Sequence, residues 1–126
     1  MDPYLFRKVS DGARAVYYTH PSKIKQQYTT EEILVHYRKC LQENKQWIWV
    51  FDGSNFDTDH IMELKLGQGI AEILDSPVGQ TLKEILVINP TVHLKVLIKV
   101  VTPFISDPLM EKVKILEGVH SILEYL

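Results

Sequence analysis

The sequence predicts an α/β fold, with a mostly parallel sheet of about four to five strands joined by crossover helices. Three observations predict it. Two short runs, Trp47-Ile48-Trp49-Val50-Phe51 and Ile85-Leu86-Val87-Ile88, are continuously apolar, as strands buried on both faces are. Stretches with apolar residues at helical spacing alternate with the strand-like runs. Gly, Pro and Asn clusters punctuate the changes of pattern.

Residues 1–12 are polar and mixed, and Asp11-Gly12 reads as a turn. Arg14-Ala15-Val16-Tyr17-Tyr18-Thr19 is rich in β-branched and aromatic residues and reads as a strand. His20-Pro21-Ser22 closes it, because proline cannot donate to a ladder. Thr29-Thr30-Glu31-Glu32 opens a helix, with Thr29 and Glu32 spaced as a capping box. Its apolar face is Ile33, Leu34, Tyr37 and Leu41, and Lys39 and Lys45 suit the negative end of the dipole.

The Trp47–Phe51 strand follows, broken by Asp52-Gly53-Ser54-Asn55. A helix pattern then runs from about Thr58 to Leu74, through Ile61, Leu64, Ile70 and Ile73. Gly67 and Gly69 weaken its middle, so a kink or a close neighbour is expected there. Ser76-Pro77-Val78-Gly79 is a break. The Ile85–Ile88 strand ends at Asn89-Pro90, and Thr91 caps an apolar helix over Val92–Val101. A short helix at Leu109–Lys112 leads to the strand Val113–Leu116, and a last helix is expected from Val119 to Leu126.

Composition narrows the function. The chain has 126 residues, enough for one domain with a substantial core. Hydrophobic residues make up 45% and charged residues 24%, which excludes a disordered chain. The net charge of −2 gives no basic field for nucleic acid, so no nucleic-acid partner is expected. Cys40 is the one cysteine, so no intramolecular disulfide can form. It reads as a packed side chain in a reducing compartment, and a cytoplasmic location is expected. No leader-like or bilayer-length apolar run is present, so any membrane contact is expected to be peripheral.

Chemistry-bearing motifs are sparse. The phosphate-loop, dinucleotide, zinc-protease and nucleophile-elbow patterns are absent from the sequence. Gly67-Gln68-Gly69 lacks a third glycine. The stretch Asp52–His60 is rich in oxygen ligands, but Asp57 stands where a calcium loop needs glycine. It reads instead as a strand-to-helix loop capped by Asp57 or Thr58. The five histidines, His20, His36, His60, His93 and His120, show no metal-ligand spacing. His93 lies on an apolar helix without a nucleophile beside it. No catalytic residue, metal or cofactor is expected, and the chain does not read as an enzyme.

The helix Val92–Val101 is apolar apart from His93 and from Lys95 and Lys99, which share one narrow face. Such a helix is buried on most sides, or it covers a cavity and meets a membrane. Periodicity alone favours core packing.

Several of these motifs together resemble the CRAL-TRIO domain family. Ile88-Asn89-Pro90, the apolar helix, Pro103-Phe104-Ile105 and Lys112-Val113-Lys114-Ile115-Leu116 are similar to its C-terminal half. Trp49-Val50-Phe51-Asp52-Gly53 and Arg14-Ala15-Val16-Tyr17-Tyr18 extend the likeness upstream, over about residues 12–126. The resemblance implies an α/β/α domain enclosing a lipid pocket. Its gate helix would map onto Val92–Ile105. The pocket would be lined by Trp47, Trp49, Phe51, Ile85, Val87, Val92, Val96, Leu97, Val100, Val101, Phe104 and Ile105. Lys112 falls where phosphoinositide-binding members place a headgroup lysine.

There are departures. Gly79-Gln80-Thr81-Leu82 stands where the family has Pro-Glu-Arg-Leu. Only one helix is expected between His20 and Gln46, and 1–126 is expected to form one compact domain without the N-terminal helical subdomain of many members. A smaller wall implies a smaller or more open pocket. The leading expectation is binding, and transfer at a membrane surface, of a lipid or other small hydrophobic ligand. The alternative is a protein-interaction module, as in BCH-type and Rho-regulator-associated members, or a homodimer built on the same apolar surface.

Overall fold

The computed structural model describes residues 2–41, 45–57 and 64–121. Strand β1 (Arg7–Asp11) is followed by β2 (Ala15–Thr19), helix α1 (Thr30–Cys40), β3 (Trp47–Asp52) and α2 (Leu64–Asp75). Then come β4 (Leu82–Ile88), α3 (Val92–Val101), α4 (Asp107–Met110) and β5 (Val113–Leu116). The sheet runs in chain order from β1 to β5. β1 pairs antiparallel with β2, and β2 through β5 are parallel.

Local chemistry explains most boundaries. Thr29 and Glu32 form the expected capping box, each side chain bonding the other's backbone N–H. Thr91 accepts from Leu94 N–H and starts α3 where the sequence predicts. α4 begins two residues earlier than expected, because Ser106 caps it and Pro108 suits a first turn. β1 is a strand that the sequence did not predict. All five of its residues are exposed, so no buried alternation marks it. Val119–Ser121 are not helical, so the last helix does not start at Val119; its remainder, 122–126, lies outside the described residues. The same holds for the start of the predicted α2 pattern and the proposed Thr58 cap.

Parallel crossovers are right-handed almost without exception, and a strand order that never reverses stacks their helices on one face. The buried side chains agree. Ile33 and Tyr37 of α1, Leu66, Ile70, Ile73 and Leu74 of α2, and Leu94 and Leu97 of α3 join one cluster with Tyr17, Trp47, Trp49, Phe51 and Val87. The alternate strand residues Val16, Ile48, Val50, Leu86 and Ile88 form a second cluster on the other face, where Leu116 and Val119 pack against them. All six β3 residues are therefore buried.

Two close approaches set the helices. A Cβ on Gly69 would lie 2.6 Å from Leu34 Cδ1, so the glycine lets α2 press on α1. α2 stays continuous through it, so of the two expected outcomes the close neighbour is observed. A Cβ on Gly53 would meet Leu94 Cδ2 at 2.5 Å and the Asn89 carbonyl oxygen at 2.8 Å, where α3 crosses the end of β3.

Candidate hydrophobic-ligand site

Between the sheet and α2, α3 and α4 lies a cavity of about 140 Å³. Its floor is Trp49 and Phe51 of β3 and Ile85 and Val87 of β4, the alternate residues that face the helices. One wall is Gly67, Ile70, Ala71 and Leu74 of α2. The roof is Leu94, Leu97, Ile98 and Val101 of α3, which stand at i, i+3, i+4 and i+7 on one helix face. Ile105, Leu109, Met110 and Val113 close the far end. Among the described residues, no polar side chain contributes to the lining. Trp49 is held in place as its indole N–H donates to Thr19 Oγ1 at 2.8 Å, and Thr19 Oγ1 donates to the Leu5 carbonyl at 2.8 Å.

Of the expected pocket residues, Trp49, Phe51, Ile85, Val87, Leu97, Val101 and Ile105 meet here. The others stand elsewhere. Val92, Val96 and Val100 recur every four residues along the outer side of α3, with exposures of 75%, 54% and 55%. Phe104 continues that row and is also exposed. A turn of 3.6 residues cannot bring this set and the Leu94 set to one face. Trp47 starts β3 and packs edge-on against Tyr17 and Phe6, away from the cavity. Lys112 is half-buried, and its ammonium donates to the Gly79 carbonyl at 3.4 Å.

Periodicity marked Ile70, Leu74, Leu94 and Ile98 as apolar helix positions without showing what they face. Ala71 gives no signal, because small residues barely register in a hydrophobic pattern, and Gly67 reads only as a weak point of its helix or a close approach. A larger cleft of about 740 Å³ lies beside the cavity, under the segment 24–31, and shares Trp49, Phe51 and Ile70 with it.

One cluster of titratable groups lies on the opposite face of the sheet. Asp52 is 7% exposed. Its Oδ1 accepts from Ser54 N–H at 3.0 Å and the Asn89 amide at 3.1 Å, and its Oδ2 accepts from the Tyr18 hydroxyl at 2.8 Å. Burial alone would raise this carboxyl; the three donors and the adjacent His20 outweigh it and hold it below the usual carboxylate range. The Tyr18 hydroxyl is pushed up by burial and by Asp52. Since its proton goes to Asp52, His20 Nδ1, at 2.9 Å from the same oxygen, is the donor of that pair. Asn89 takes a left-handed φ of 49°, and His120 Nδ1 donates to its Oδ1 at 2.9 Å.

Cys40 behaves as a packed thiol. It is half-buried, burial raises its pKa, and its Sγ lies 3.6 Å from His36 Nε2. His93 is exposed on α3. Among the described residues no three His, Cys, Asp or Glu side chains come together as metal ligands, and no helix is long and apolar enough to cross a membrane. His60, within the oxygen-rich loop, lies outside the described residues.

The sequence model of the CRAL/TRIO domain matches residues 7–126. Comparison with curated proteins gives no match.

Proposed function

The chain belongs to the CRAL/TRIO domain family, whose domains bind lipids and other small hydrophobic molecules, and from that premise we propose that the cavity under α3 is the ligand site and α3 its gate. The observation that carries this reading is the absence, among the described residues, of polar side chains from a cavity roofed by a helix that is apolar on both sides. The inner row, Leu94, Leu97, Ile98 and Val101, faces the ligand space; the outer row, Val92, Val96 and Val100, faces solvent.

Size sets the mechanism. An apolar cavity of roughly 150 Å³ admits benzene, so a space of about 140 Å³ holds a ring or a short chain. A long acyl or isoprenoid chain needs α3 to swing out, or needs the Trp49, Phe51 and Ile70 wall to part into the neighbouring cleft. Each CH₂ buried contributes about 0.8 kcal/mol, so a chain that opens the gate is held by its length. Asn89-Pro90 before α3 is the pivot of that swing, and Thr102-Pro103 after it is the end that moves. The exposed row, with Lys99 beside it, docks transiently on a bilayer while the ligand transfers.

We read the domain as a binding module and not as an enzyme. The Tyr18, His20 and Asp52 group sits across the sheet from the cavity, with β3 between them. The same exposed row also suits a protein partner or a second copy. Native mass spectrometry and lipid extraction of purified protein test the main reading, together with uptake from labelled vesicles. No copurifying hydrophobic ligand and no uptake would sink it, and a tight ligand-free dimer by light scattering would favour the interaction module.

A further inference from the structure

The outer face of the sheet carries a second cleft, of about 380 Å³, lined by Tyr4, Arg7, Tyr18, Lys23, Asp52 and His120 among others. Topology places these residues together. Tyr18 and Asp52 stand at the carboxyl ends of β2 and β3, and Ile88, at the end of β4, adds to the lining. β1 runs antiparallel, so its first residue, Arg7, pairs with Tyr18. Lys23 ends the short 3₁₀ turn that follows β2. The cleft lies beyond the carboxyl ends of β2, β3 and β4, on the face away from the apolar cavity.

Its charges do not balance. Among the described residues, two cations, Arg7 and Lys23, line the cleft with one carboxylate, Asp52. Asp52 is already engaged by Ser54, Asn89, Tyr18 and His20. Asp2, the acid near Tyr4, accepts instead from the backbone N–H groups of Tyr4 and Lys25. The contacts of Arg7 and Lys23 are with rings. The Arg7 guanidinium lies 5.5 Å from the Tyr4 ring centre and 5.8 Å from that of Tyr18, and the Lys23 ammonium lies 5.3 Å from that of Tyr4. Cation–π contact with the rings orients both groups in advance and leaves their N–H donors for another partner.

We propose that this outer cleft binds a phosphate group, which Arg7 grips with its planar fork and Lys23 with its point charge. Tyr18 and Ile88 give the attached organic part an apolar floor. The volume lies within the roughly 300–1,000 Å³ of small-molecule sites, so the phosphate arrives on a small molecule or on a lipid headgroup.

Two arms separate those sources. In the first, inorganic phosphate and glycerol 3-phosphate are titrated into the labelled protein, and backbone amide signals are followed. In the second, the protein is sedimented with phosphatidylcholine vesicles with and without phosphatidic acid. Saturable shifts around Tyr18, Asp52 and His120 identify a soluble ligand; binding that requires phosphatidic acid identifies a headgroup; either supports the site. Arg7→Gln and Lys23→Gln each weaken the responding arm roughly tenfold, with uptake of a hydrophobic probe by the inner cavity unchanged. Both residues are exposed, and should Arg7→Gln lower the melting temperature, Lys23→Gln alone carries the test. No response in either arm, or a response that both variants retain in full, overturns the proposal.

Discussion

Gly67→Leu puts a side chain into the space we assign to the ligand. Gly67 lines the cavity from α2, and among the described residues a Cβ there would meet only Val101 Cγ1, at 3.6 Å, an ordinary van der Waals contact. The four added carbons therefore grow into the cavity of about 140 Å³ and take much of it. Removing glycine from a helix interior gains up to about 1 kcal/mol, worth roughly 3–5 °C in melting temperature for a domain of this size. A ligand denied room for about four carbons loses about 3 kcal/mol, more than a hundredfold in Kd. Gly67→Ala is the internal control. It has nearly the same helix gain, while one methyl group costs the ligand about 0.8 kcal/mol, or about fourfold. The assay is titration with an environment-sensitive hydrophobic probe, followed through Trp49 fluorescence, beside thermal unfolding of each variant. A folded, stable Gly67→Leu protein that binds with full affinity would falsify the cavity as the ligand site. A large fall in stability would instead refute the stated geometry at Gly67.

Three further outcomes are expected. Val96→Asp with Val100→Asp changes stability by less than about 0.5 kcal/mol per site, since both side chains are exposed, yet slows uptake from vesicles; unchanged uptake counts against α3 as the docking face. Thr29→Ala removes half of the capping box and lowers stability by about 1 kcal/mol in urea denaturation. Asp52 has a folded pKa below its ordinary value of 3.8, so its contribution is present above that value and is lost as pH falls through the folded one. Asp52→Asn flattens that acid limb, and urea midpoints between about pH 2 and pH 6 will reveal it; a limb as steep as in the parent protein would contradict the network.

The pattern of strands and helices was legible because it rests on local signals. Continuous apolar runs, a capping box and proline breaks placed β3, α1 and α3 within a residue or two. β1 was not legible. Its five exposed residues carry no periodicity, and only pairing with β2 makes them a strand. The cavity was legible in part for a different reason. α3 is apolar on two sides, so its sequence fits either the Leu94 row or the Val92 row facing the sheet. The choice falls to a tertiary contact, the fit of Leu94 against Gly53 at the end of β3. The α2 wall depends likewise on small residues whose importance lies in the space beside them. A pattern of side-chain hydrophobicity cannot report space.

The period of two in β3 also explains how one strand serves two unlike environments. Trp49 and Phe51 point into the apolar cavity, whereas Val50 and Asp52 belong to the other face. The two faces meet again at Asn89. Its amide donates to Asp52 and to the His120 carbonyl, and its left-handed backbone leads through Pro90 into the Thr91 cap of α3. The polar network therefore fixes the N-terminal anchor of the helix that roofs the cavity, while Leu94 fixes its underside. If α3 is the gate, its free end is the one toward Thr102 and Phe104, where the chain leaves through a proline and no comparable side-chain network holds it among the described residues. Opening should then begin at Val101 and Ile105 and spread toward Leu94. Asp52→Asn, by loosening the anchor, should raise amide exchange first at residues 91–94, far from the end that opens in the parent protein.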